Sequence, residues 1–191
     1  MPPLMRLEID PSGIEKMAET FAKAEREMPA AVIRAVTRTG TMARTKVVRA
    51  LTKQTGLQRD TIVRAVKPRP AGMSYALYVR GGNVALKYFK PRETGRGVSA
   101  APWNKRRVYV GAFINSGFQE RAPSPKLHGQ VMQRVGRGRL PIHKVKSGLF
   151  IPKEFVSGDS ESAFWDTVMS VLPQRLQHEI ARVLSGKASG E

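Results

Sequence analysis

Along the first third of the chain apolar residues recur every three or four positions; after that the pattern shifts to short alternating runs. Ile14, Met17, Ala18, Phe21 and Met28 fall on one face at helical spacing. Ahead of them Ser12 can cap a first turn, Glu15 sits three residues on as in a capping box, and Pro11 suits the helix start. Pro29 predicts a boundary or a kink, because it cannot donate the helical hydrogen bond. The stripe resumes with Val32, Val36, Thr39, Ala43, Val47 and Leu51, leaving Arg34, Arg38, Arg44 and Lys46 largely off it. Small residues (Ala31, Ala35, Gly40, Ala43, Ala50) let a neighbour come close. Gly40 costs about 1 kcal/mol against Ala in a helix interior and marks a place for a bend. The stripe is too broad for a strict heptad seam, so helices packed on a sheet are expected. Gln54–Thr55–Gly56 reads as a cap and turn. Leu57 to Val66 reads as a third short helix with Ile62 and Val66 inward, stopped by Lys67–Pro68–Arg69–Pro70.

From Ser74 the period falls to two. Ala76, Tyr78 and Arg80 alternate with Tyr75, Leu77 and Val79, and a second run follows from Val84 to Phe89. Gly81–Gly82–Asn83 between them predicts a hairpin. Lys90 to Arg106 is long and polar and reads as a loop, of a length that marks a functional arm or a disordered tip. Arg107–Ile114, Gln130–Val135 and Leu140–Val145 are further β-runs, with Asn115–Gly129 a proline-punctuated loop and the GRGR string at 136–139 a tight basic turn of type I′ or similar. Lys146 to Ser157 is apolar but irregular. A last helix starts near Asp159 or Ser160, packs through Phe164, Trp165, Val168, Val171 and Leu172, is interrupted at Pro173, and continues through Leu176, Ile180, Val183 and Leu184. Met1 to Ile9 reads as a strand or a frayed arm. The expected fold class is α+β. One domain over 1–191 has helices in 12–66, a small, mostly antiparallel sheet with long basic loops in 74–151, and a helix in 159–185 packed on that sheet.

Charge sharpens this picture. Between Thr61 and Lys153 stand 19 Lys or Arg against two carboxylates, Glu93 and Glu120. The first sixty residues carry +4 and the last thirty-eight −3, so nearly all of the net +18 resides in the sheet region. Such a balance favours an anionic partner, and a nucleic-acid backbone and an acidic protein surface fit it equally. With no cysteine, disulfides, zinc ribbons and thiolate nucleophiles are excluded. No signal-like leader and no bilayer-length apolar run is present, so a cytoplasm-like setting without a membrane is expected.

Catalysis finds little support. His128, His143 and His178 fall in different predicted elements without metal-ligand spacing, and carboxylates are too sparse in the basic region to form a catalytic pair. No metal, cofactor or catalytic residue is assigned, and an enzyme is not expected. Arg92–Glu93–Thr94–Gly95–Arg96–Gly97 lacks the phosphate-loop pattern. The GRGR turn could contact an anion or could be a solvated turn. Tyr78, Tyr88, Phe89, Trp103 and Tyr109 lie among cations as in a nucleic-acid face, but they can equally fill a sheet core. Trp103, flanked by Pro102 and Asn104, is either an interface anchor or a plug within its own loop.

Several strings taken together carry a resemblance. GAFI at 111–114, VMQR at 131–134 and RLPIHKVK at 139–146 follow the upstream RGGNVALKYF segment and a helix holding Thr37, Arg38 and Ala43. In this order they resemble the phage minor tail protein Z family, the lambda-type tail completion proteins, over roughly residues 12 to 184. The resemblance implies a structural virion protein, assembled in the host cytoplasm, at the head-proximal end of a long tail. It would complete the tail and join it to the head, as a member of a sixfold ring that touches tail terminator, tail tube or head–tail connector proteins and could meet the end of the packaged DNA. On that reading Arg106, Arg107, Arg134, Arg137, Arg139, Lys144 and Lys146 are the polar contacts, and Trp103 and Phe113 the apolar ones. A free basic nucleic-acid-binding module is the alternative, and an adaptor between portal and tail differs from the first reading only in its neighbours.

Overall fold

A computed structural model describes residues 11–114, 129–138 and 140–185. The first element is one helix, α1 (Pro11–Thr55), and not the expected pair broken at Pro29. Pro29 is exposed, so the Glu25 carbonyl that loses its helical partner faces water, and the helix runs through. Because α1 already includes Pro11, Ser12 lies inside its first turn and not at the cap. A short helix α2 (Arg59–Ala65) follows.

Val66 opens a strand where the sequence predicted a helix end. β1 (Val66–Ala71) pairs antiparallel with β2 (Ser74–Val79) around Gly72–Met73. The hairpin therefore lies one element earlier than the Gly81–Gly82–Asn83 turn predicted. Gly72 has φ +55°, at the loop position that a type II′ turn gives to glycine. Pro68 and Pro70 sit two residues apart in β1, so both ring nitrogens point to the same edge. With Ala71 and Ser74 closing the turn, that edge is the one away from β2, where no donor is needed.

β3 (Asn83–Ala85) pairs instead with the distant β10 (Lys146–Phe150). The segment 90–106, expected to be an arm, holds two strands, β4 (Arg92–Thr94) and β5 (Gly97–Ala100), and all four residues of β5 are buried. A sheet forms with β6 (Arg107–Val110) in the order β4-β5-β6. The β-run 107–114 breaks at Gly111, φ +72°, so that β7 (Ala112–Ile114) leaves for another sheet with β8 (Val131–Arg134) and β9 (Ile142–Lys144). Val108 and Val110 consequently do not share the buried side with Ala112, and both are exposed. Residues 135–141 link β8 to β9, too long for the expected I′ turn, and the Val135 amide donates to the Pro141 carbonyl. The predicted arm at 115–129 lies almost wholly outside the described residues, as do Met1–Ile9, His128 and Arg139.

The irregular apolar stretch is β10 and a short helix α3 (Ile151–Phe155). α4 (Asp159–Leu184) continues through the exposed Pro173 without the predicted interruption. It runs antiparallel along α1. Gln54 of α1 meets Glu154 and Ser157 just before α4, Arg34 reaches Glu179 at 2.8 Å, and Ala24 and Ala31 pack on Val183. At about 1.5 Å per residue α1 is much the longer helix. Its leading turns pass the end of α4, and Phe21 there is exposed against the expected inward face.

The core lies between the second half of α1 and the sheets. Val47, Val48 and Leu51 meet Leu57, Ile62, Val66, Leu86, Phe89, Val98, Val131 and Leu149. Tyr75, Leu77 and Val79 turn their side of the hairpin toward the protein, a choice between the two alternating sets that the sequence left open. Gly40 is buried where the Tyr75 ring lies on the helix, and an added Cβ would stand inside van der Waals contact with three ring carbons. Gly40→Ala should therefore lower stability by about 1–2 kcal/mol although Ala favours helices, because overpacking outweighs propensity. Urea unfolding checks this, and in a Tyr75→Ala background the same change should become neutral or stabilising.

Candidate interaction surfaces

Three of the residues expected to make contacts come together on the β7-β8-β9 sheet. Phe113, Met132 and Lys144 lie directly across from one another, and the next row pairs Arg134 with Ile142. Alternation puts all five on one face. The Arg134 guanidinium lies 5.6 Å from the centre of the Phe113 ring. Arg137 is exposed at the tip of the β8–β9 connection, between the exposed Val135 and Leu140. Lys146 is exposed at the start of β10 and belongs to a different sheet.

Arg106 and Arg107 are partly engaged within the protein. Arg106 donates to the Ser99 hydroxyl at 3.2 Å. Arg107 donates to the Tyr109 hydroxyl at 2.7 Å and to the Ser147 carbonyl at 3.3 Å, and its guanidinium lies over the Tyr109 ring. These bonds tie β6 to β10 across two sheets.

Trp103 is a plug and not a free anchor. It is half-buried against the core, and its Nε1–H donates to the Glu154 carboxylate at 3.0 Å. The other Glu154 oxygen accepts from Gln54 at 2.7 Å, and the Ser160 hydroxyl donates to the Glu154 carbonyl at 2.6 Å. Asn104 next door donates to the Lys53 carbonyl at 2.7 Å, covering one of the open carbonyls at the end of α1. Trp103 and Asn104 both hold positive φ, 51° and 59°, to make this double contact. Glu154 thus clasps α1, the Pro102–Asn104 turn, α3 and the start of α4.

A further cluster of cations lies on the outer face of the β1–β2 hairpin. Lys67 faces Tyr78 across the strands and Arg69 faces Ala76; Arg80 extends the same side. Arg80 donates to the Tyr78 hydroxyl and covers its ring at 4.9 Å. The sequence holds this clip in both orders, Tyr78–Val79–Arg80 and Arg107–Val108–Tyr109, because residues two apart on a strand share a face. With Arg64 of α2 these residues line a groove of about 530 Å³ without a carboxylate in its walls. The groove meets a second hollow of about 450 Å³ at Arg64 and Ala65, floored by Gly81, Gly82 and Asn83 and flanked by Tyr88. Sequence reasoning missed this site because Lys67–Pro68–Arg69–Pro70 looked like a helix stop; the alternation of cations with prolines was the available signal.

A patch of opposite character lies on α4. Glu161, Trp165 and Met169 succeed one another at four-residue spacing on one face, and Trp165 and Met169 are exposed. Glu161 and Trp165, together with Leu77, Phe155, Val156 and Phe164, border an apolar hollow of about 250 Å³, and Met169 lies one turn beyond it. On β6, Val108 and Val110 form a smaller exposed apolar pair, with Arg92 in the row of Val108 and Arg106 bonded to Ser99 in that same row.

His143 and His178 are exposed. Among the described residues no group of three His, Asp or Glu could hold a metal, and no helix is long and apolar enough to cross a membrane. No family model, curated protein or solved structure matches the chain.

Glu154→Ala should lower stability by about 2–3 kcal/mol, since it strands the Trp103 and Gln54 donors that a charged acceptor now satisfies. Trp103 emission, read in a Trp165→Phe background, should shift to the red. Glu154→Gln should lose less, and a loss under about 0.5 kcal/mol for the alanine variant would place Glu154 among ordinary surface positions.

Proposed function

We propose that the chain is a non-enzymatic structural protein of a long-tailed phage, acting at the head-proximal end of the tail to complete it and join it to the DNA-filled head. One observation carries the reading. Of the strings that resemble the minor tail protein Z family, GAFI, VMQR and the IHK of RLPIHKVK fall on β7, β8 and β9 of a single sheet. Three of the resembling strings therefore belong to one structural element, and its face gathers Phe113, Arg134 and Lys144.

The surfaces suit a protein that contacts large neighbours. The partners on this reading are further copies of the chain in a ring and the tail terminator, tail tube or connector proteins. For the ring, the acid-flanked Trp165–Met169 patch of α4 fits the cation-flanked Val108–Val110 patch of β6 on a second copy. Different surfaces meet in such a head-to-tail contact, which is what a ring closed by rotation requires. Charge around the apolar centres sets orientation and association rate more than affinity.

Tails assembled without this chain should fail to attach to filled heads, and adding the purified protein should restore attachment. Attachment at the normal level without it, with the chain absent from finished particles, would end this reading. For the ring contact, Val110→Glu and Trp165→Glu should each abolish self-association in sedimentation at particle-like concentrations. Glu161→Lys should weaken it by about 5- to 30-fold, and Arg92→Glu on the same chain should restore part of that loss if those charges face each other.

A further inference from the structure

The groove between α2 and the β1–β2 hairpin has no part in the contacts above. We infer that it binds the sugar-phosphate backbone of a nucleic acid. Arg64, Lys67, Arg69 and Arg80 line it, and no carboxylate does; Asp60, one turn ahead of Arg64 on α2, is not among its walls. Most surface cations are interspersed with acids that neutralise them, whereas here four converge on one hollow. Lys67 and Arg69 stand about 7 Å apart along their strand, so they present a row of charge and not a point. Such a row suits a polyanion that passes along the groove better than a single small anion.

Aromatic rings decide between nucleic acid and an acidic protein surface. Tyr78 borders the first hollow and is 43% exposed; Tyr88 borders the second and is 38% exposed. Each carries a cation over its ring, Arg80 at 4.9 Å and Lys87 at 5.0 Å. An acidic polypeptide would use the cations and gain little from the rings. A nucleic acid uses both, with phosphates on the guanidinium forks and bases or sugars against the exposed tyrosine rings. Between the rings the floor is Gly81 and Gly82, and a Cβ on Gly82 would meet nothing within 4 Å, so the backbone is open to close approach by a bulky polymer. The outward-pointing proline nitrogens of β1 make that edge a poor template for an added strand, which removes sheet extension as a competing use.

The inference is independent of the tail reading, because it concerns the isolated chain. Its test is fluorescence anisotropy of the full-length protein with a labelled oligonucleotide, single-stranded and duplex at equal length, across a salt series. Replacing Arg64, Lys67, Arg69 and Arg80 together by Ala should weaken binding about 10- to 100-fold and flatten the log–log salt slope by about 3–4. A comparator with Arg92, Arg134, Arg137 and Lys144 changed to Ala removes equal charge and should lose at least about tenfold less. Tyr78→Ala should weaken single-strand binding by about 5-fold or more if bases stack there. A loss confined to the cations, equal for both oligonucleotides, identifies a duplex backbone as the occupant and still supports the site. Three outcomes overturn it: no salt-dependent binding by the unmodified chain; equal losses in the two charge variants, both with unchanged circular dichroism and melting; or displacement of the oligonucleotide by poly-glutamate at matched charge with no effect of Tyr78→Ala, which would assign the groove to an acidic protein.

Discussion

Sheets of two or three short strands do not stand alone in water, and this protein is built around that constraint. The described residues form four of them, and none is large enough to bury its own apolar face. Each sheet sends residues into one shared core: Val66 from β1, Leu149 from β10, Val98 from β5, and Ala112 and Val131 from β7 and β8. The other wall is the second half of α1, where Val47 and Leu51 are fully buried. Remove that wall and the β-region loses what makes it a folded unit. Arg44 of α1 adds a polar tie, donating to the Val66 carbonyl at 3.1–3.2 Å where α2 turns into β1.

The same constraint explains where the charge ends up. Strands a few residues long leave most of their polar positions at edges, ends and outer faces. A basic sequence folded this way carries its cations on several separate surfaces instead of one continuous face. Two of those cations are held by neighbouring tyrosines, and Arg107 is further used to bind one sheet to another. On α3 and α4 acids outnumber cations, with Glu154 committed to the interior clasp and Glu161 and Asp166 facing outward. A cationic β-region and an acid-flanked face of α4 therefore stand apart on the molecule, the asymmetry that the proposed head-to-tail contact would use.

Prolines and aromatics show how far sequence patterns reach. Pro29 and Pro173 signal helix ends locally, but each lies on an exposed helix face where water can satisfy the freed carbonyl, and packing on the opposite face carries the helix past it. Pro68 and Pro70 likewise signal a stop, yet their two-residue spacing suits a strand edge as soon as β2 supplies a partner. Trp103 lies between Pro102 and Asn104 in a segment that reads as a polar loop. Its burial depends on Glu154, fifty-one residues away, and on backbone conformations that no local pattern encodes.

By itself the sequence determined the α+β class, the apolar face of the second half of α1, the alternation of Tyr75, Leu77 and Val79 with Ala76, Tyr78 and Arg80, the final helix, and the placing of excess positive charge on the β-region. These follow from periodicity and composition, which are local properties of the chain. Tertiary structure decided which strands pair, so β3 found β10 instead of β2, and the supposed arm at 90–106 became the buried middle of a sheet. It also decided that Arg64 on a helix, Lys67 and Arg69 on a strand, and Arg80 just past the next strand would share one groove. Pairing and convergence depend on which distant segments compete best for a common core, and neighbouring residues carry no record of that competition.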